Sequence, residues 1–94
     1  MAKSTKRIKV KYRKLGQHKA YGMASSEGYI EIDSTLKGKK FVEILLHESL
    51  HILWPKESEE EITKKSIILT NTVWHEKLRR IEDQNYLPLQ DGSL

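Results

Sequence analysis

Glu43-Ile44-Leu45-Leu46-His47-Glu48-Ser49-Leu50-His51 carries apolar residues at helical spacing, and it extends on both sides into one amphipathic segment that predicts a helix from about Lys39 to Trp54, where Pro55 stops it. Phe41, Val42, Ile44, Leu45, Ile52 and Leu53 form a broad apolar arc, widened by Leu46 and Leu50, so the helix is expected to be buried. His47 and His51 share the narrow remaining stripe with Glu43. At 3.6 residues per turn, positions i and i+4 lie roughly 40° apart, so both imidazoles can reach a single metal ion. Glu48 falls inside the apolar arc, where an ionised carboxylate is costly unless a cation lies close by. A helix that served packing alone would not place it there.

Upstream of this helix the period changes to two. Arg7 to Leu15 alternates Ile8, Val10 and Tyr12 with Lys9, Lys11 and Arg13, the pattern of a strand buried on one side. Gly28 to Asp33 repeats it with Ile30 and Ile32 inward, and Tyr21 to Ala24 is expected to add a short strand. These segments predict a small, largely antiparallel sheet ahead of the helix.

Downstream, Pro55 to Glu57 reads as a short turn that folds a second helix, running to about Arg80, back on the first. Ser58 with Glu61 three residues on is a capping-box signature. Zinc in a catalytic setting takes three protein ligands, so His47 and His51 require a third. Helical phase separates the adjacent glutamates. Ile62, Ser66, Leu69 and Val73 follow Glu59 on one face, with Thr70 and Trp74 beside them, whereas Glu60 and Glu61 turn about 100° and 200° away. Glu59 is therefore the expected third ligand and Glu60 the next. His75 lies on the opposite side of the second helix, and His18 sits in a loop. The longer motif with a third histidine six residues after the second is absent, since Trp54 and Glu57 occupy its glycine and histidine positions.

Ninety-four residues make one expected domain, with a core at about 7–80 and polar tails at 1–6 and 82–94, the latter carrying Tyr86, Leu87 and Leu89 as candidate anchors. So small a core leaves little surplus stability, and a bound metal would add to it. The chain has no cysteine, which excludes disulfides and thiolate ligands and fits a reducing cytoplasm. The N-terminus lacks the apolar core of a signal peptide, and no run approaches membrane-spanning length. A soluble cytoplasmic protein with no membrane partner is expected.

Lys and Arg number 17 against 13 Asp and Glu, a net charge of +4, with the excess before residue 20. Lys3, Lys6, Arg7, Lys9, Lys11, Arg13, Lys14 and Lys19 form a basic segment that can attract nucleic acid. No base-reading motif or aromatic interleaving accompanies it, so a solvated strand face plus a soluble tail is the favoured explanation and at most weak binding is expected.

Taken in order, Gly28 to Asp33, Gly38 to Phe41, Glu43 to His51, and Glu59 with Ile62 and Ser66 resemble the small zinc metallopeptidases of the ImmA/IrrE type, especially the compact forms common in bacteriophage genomes. The resemblance covers roughly residues 7–80. It implies a minimal zincin-like α+β fold, a small antiparallel sheet packed on two helices with H-E-x-x-H on the first. It further implies one zinc ion held by His47, His51 and Glu59, hydrolysis of a peptide or protein substrate, and Glu48 as the catalytic base. Larger members of that family carry a longer insertion before the third ligand and often a second domain, whereas here seven residues separate His51 from Glu59. SprT-like proteases share the motif but use a third histidine, a role that only His75 could fill.

Under this reading Glu43 is a candidate to orient a motif histidine, and Tyr21, Tyr29 and His18 are candidate donors to an oxyanion. The strand at 20–26 or 28–33 is the candidate edge along which substrate adds. The alternative is an inactive, zinc-stabilised binding module whose working surface is the basic segment.

Overall fold

A computed structural model describes residues 7–16 and 20–81 and gives an α+β arrangement: β1 (Lys9–Arg13), β2 (Gly22–Ala24), β3 (Tyr29–Asp33), α1 (Gly38–Leu53) and α2 (Glu59–His75). His18 and the tail anchors Tyr86, Leu87 and Leu89 lie outside the described residues.

The strands order as β1-β3-β2. β2 and β3 form an antiparallel hairpin with Met23 opposite Glu31, whereas β1 and β3 run parallel with Val10 opposite Ile30. The sheet is therefore mixed, which corrects the expectation of a largely antiparallel one for one of its two pairings. Side-chain alternation is the same in both kinds of ladder, so it specifies which face is buried and not the strand direction. Here β2 runs back alongside β1 but leaves a gap, and the tight turn after Ala24 inserts β3 into it.

Ile30 and Ile32 of the central strand are fully buried and join Leu36, Phe41 and Val42 in the main core. α1 packs on β2 and β3 with one side and on α2 with another. Its approach to β2 depends on Gly22, where a Cβ atom would stand 2.6 Å from Ile44 Cγ2 and 3.1 Å from Glu48 Cγ. Tyr12, expected inward, stacks on Phe41 at 6.4 Å but stays 44% exposed, because it sits on an edge strand that α1 does not cover fully. Leu53, expected within the buried arc, is 58% exposed at the end of α1.

Asp33 ends β3 as a buried carboxylate. It accepts hydrogen bonds from Leu15 N–H (3.1 Å), Thr35 N–H (2.8 Å) and the Thr35 hydroxyl (2.6 Å), tying the exit of β1 to the turn that enters α1. These bonds, those of Thr35 first, hold its carboxyl below the ordinary value despite the opposing effect of burial.

α2 starts where the capping signature places it: the Ser58 hydroxyl accepts from Glu61 N–H at 3.1 Å. Its buried stripe is Ile62, Ser66 and Thr70, while Leu69 turns to the rim of an outer groove. The helix ends at His75 rather than near Arg80. Lys77 adopts a left-handed conformation (φ 68°), with Lys77 N–H bonded to Trp74 C=O and Leu78 N–H to Val73 C=O, a Schellman stop without its usual glycine. The chain then turns back, so that Arg79 lies over Trp74 and Arg80 over Tyr12 and Phe41.

Candidate metal centre

The two histidines leave α1 on adjacent turns, with ring centroids 4.9 Å apart. Glu59 reaches them from the first residue of α2. One carboxylate oxygen lies 2.9 Å from His47 Nε2 and the other 2.7 Å from His51 Nε2. All three can offer a ligand atom within 4.8 Å of one another, and among the described residues no other such group of His, Cys, Asp and Glu occurs. The turn at Pro55 to Glu57 is what permits this. It reverses the chain within a few residues, and the Ser58 cap begins α2 with Glu59 directed at the end of α1.

The hydrogen bonds around His47 bear on whether these donors suit a cation. Ser66 is fully buried and donates its hydroxyl proton to Thr63 C=O at 3.0 Å, which leaves its oxygen, 3.3 Å from His47 Nδ1, able to accept from the tautomer protonated at that nitrogen. His47 Nε2 then carries a lone pair directed at a carboxylate oxygen, which is also an acceptor. In that tautomer a cation held by both groups satisfies the two acceptors, 2.9 Å apart, whereas with the proton on Nε2 the same contact is a hydrogen bond. Imidazole and carboxylate are ligands that zinc accepts, and the group fits a metal on that ground.

Electrostatics agree with this placement. Desolvation raises the Glu59 pKa, but the His51 hydrogen bond and the charges of His47 and His51 outweigh it, and the carboxyl stays below its ordinary value. Thr63 Oγ1 donates to the same carboxylate at 3.4 Å. Glu48 shows the opposite balance. Burial pushes its carboxyl upward, against the pull of His47 and His51 and with a contribution from Glu59.

Glu48 is half-buried against β2, as its position in the apolar arc implies. It lines, with Ala24, Ser25, Ser26, His51, Ile52 and Pro55, a cleft of about 400 Å³. β2 is an edge strand on that cleft, and β3 is central, so of the two candidate edges only the first is available. The ladder continues through Ser25 N–H to Tyr29 C=O and Asp33 N–H to Tyr21 C=O, which directs the N–H and C=O groups of Gly22 and Ala24 outward.

The remaining candidates fall elsewhere. His75 is at the far end of α2, exposed and 3.3 Å from Glu76. Glu60 is exposed and outside the group. Tyr21 and Tyr29 sit under Lys40 and Lys11 and do not line the cleft, whose hydroxyls come from Ser25 and Ser26. The partner of His47 Nδ1 is Ser66 rather than Glu43. Ser66 stood on the core-facing stripe in the sequence; a small hydroxyl between Ile62 and Thr70 was the available signal. A separate apolar groove of about 350 Å³, lined by Leu50, Trp54, Ile62, Ile68 and Leu69, contains none of these residues of the site.

Comparison with family models, with curated proteins and with solved structures finds no match to this chain. Among the described residues no helix is long and apolar enough to cross a membrane.

Proposed function

We propose that the protein is a zinc-dependent metallopeptidase, with His47, His51 and Glu59 holding one zinc ion and Glu48 as general base. The observation that carries the reading is the convergence of Glu59 on both motif histidines, with Glu48 half-buried beside them on an open cleft. A bound zinc supplies Lewis acidity, which polarises a carbonyl and eases deprotonation of water. Glu48 takes a proton from water in the cleft and passes it to the departing amine. Its partial burial keeps its basicity above that of a surface carboxylate, which suits proton transfer near neutral pH. The outward backbone groups of Gly22 and Ala24 pair with an extended peptide and align it along β2. The absence of cysteine supports a cytoplasmic setting.

The testing experiment is Glu48→Gln. Zinc binding is retained while hydrolysis of a responsive peptide falls by about 10²–10⁴-fold. Undiminished hydrolysis rejects Glu48 as the base.

A second reading is a zinc-stabilised binding module without peptidase activity. It is favoured by the exposed row of Lys9, Lys11 and Arg13 on β1, with Arg7 exposed just before the strand, although Arg13 is paired with Glu31 at 3.1 Å. Salt-sensitive nucleic-acid binding without any peptidase activity would select it. Glu48 argues for the enzyme, because a structural zinc site needs only its ligands.

A further inference from the structure

We infer that Ser66 is a positioning residue that fixes the tautomer and ring orientation of His47; the inference rests on the metal reading above. Three observations carry it. Ser66 is fully buried on α2, so no water competes for its hydroxyl. Its proton is committed to Thr63 C=O at 3.0 Å, which leaves the oxygen as an acceptor. That oxygen lies 3.3 Å from His47 Nδ1 on the neighbouring helix.

A neutral imidazole carries one proton on its two ring nitrogens. An acceptor at Nδ1 places the proton there and leaves the Nε2 lone pair on the side of His51 and Glu59. Without Ser66, the ring could carry its proton on Nε2 and hydrogen-bond to Glu59, a tautomer that cannot ligate through that atom. Ser66 also restricts ring rotation by linking α1 to α2. The same turn of α2 organises a second ligand, since Thr63 donates its hydroxyl to Glu59 and its carbonyl anchors Ser66. Glu59, Thr63 and Ser66 thus form one polar strip along a single helix.

Groups that hold the second nitrogen of a ligating histidine typically change metal affinity by about 10–100-fold when removed. The test compares Ser66→Ala with Thr70→Val, using zinc affinity from chelator competition. Thr70 is the control because it is equally buried one turn further on and its hydroxyl has no hydrogen-bond partner. Alanine is a better helix former than serine, so Ser66→Ala keeps the backbone of α2. The expected result is a zinc Kd about 10–100-fold higher for Ser66→Ala, with Thr70→Val at the wild-type value. In nitrogen-15 spectra of the zinc-loaded protein, the His47 Nδ1 proton is protected from exchange in wild type and exchanges rapidly in Ser66→Ala. Wild-type affinity in Ser66→Ala, or equal weakening in both variants, overturns the inference and leaves the metal site standing. A wild-type protein that binds no zinc overturns both.

Discussion

His51 Nε2 and Glu59 Oε1 lie 2.7 Å apart across the turn between the two helices, although seven residues separate them in sequence. Glu60 is one residue further and faces solvent. Replacing Glu59 by Ala is therefore expected to abolish zinc binding or weaken it steeply, while Glu60→Ala leaves it intact. Calorimetric titration with zinc checks this, and the reverse pattern would assign the ligand to Glu60.

Gly22 has no room for a side chain. A Cβ there would stand 2.6 Å from Ile44 Cγ2, and the next nearest atom is Cγ of Glu48. Gly22→Ala forces α1 away from β2 and is expected to lower stability by about 1–3 kcal/mol. Because the displaced surface carries Glu48, hydrolysis should fall more than zinc affinity. Thermal melts and zinc titration of the variant test this, and wild-type melting would show that the helix yields without cost.

Asp33 gives the fold a defined acid sensitivity. Its folded pKa is held below the unfolded value, so its contribution is complete above about pH 3.9 and is lost as pH falls from there through the lower folded value. Asp33→Asn should melt below wild type at neutral pH, and the gap should narrow on acidification across that window. Melting temperatures measured between neutrality and strong acid decide the matter. A gap that stays constant with pH would mean that the charge on Asp33 contributes nothing.

Lys77 occupies the left-handed position that normally belongs to glycine at the end of a helix. Lys77→Gly removes a steric strain of about 1–2 kcal/mol at some cost in unfolded-state entropy, for an expected net gain of about 0.5–1 kcal/mol. Denaturant unfolding reads this directly, and a loss of stability would show that the lysine side chain contributes contacts outweighing the strain.

The elements themselves were legible from the sequence because their periods differ. The alternation at Ile8 and Val10, and at Ile30 and Ile32, gave two strands, and the apolar arc from Phe41 gave the first helix with its ends nearly in place. The phase of Glu59 against Ile62 and Ser66 placed it beside the histidines. Strand direction was not legible, since alternation is blind to it. Neither was the exposure of Leu53 and Leu69: helical phase marks a stripe, but which part of it is covered depends on where the neighbouring helix lies. The end of the second helix is not legible either, because Lys77 carries no sequence mark of a stop. The partner of His47 is not legible because Ser66 comes from a different helix, and no local pattern links the two.

The central claim is that His47, His51 and Glu59 form a metal site, and elemental analysis after exposure to zinc and exhaustive dialysis tests it most directly. The expected result is about one zinc per wild-type chain and none in the His47→Ala/His51→Ala double variant, in keeping with the ligand set of a single site. Wild-type protein that retains no more zinc than the double variant would contradict it.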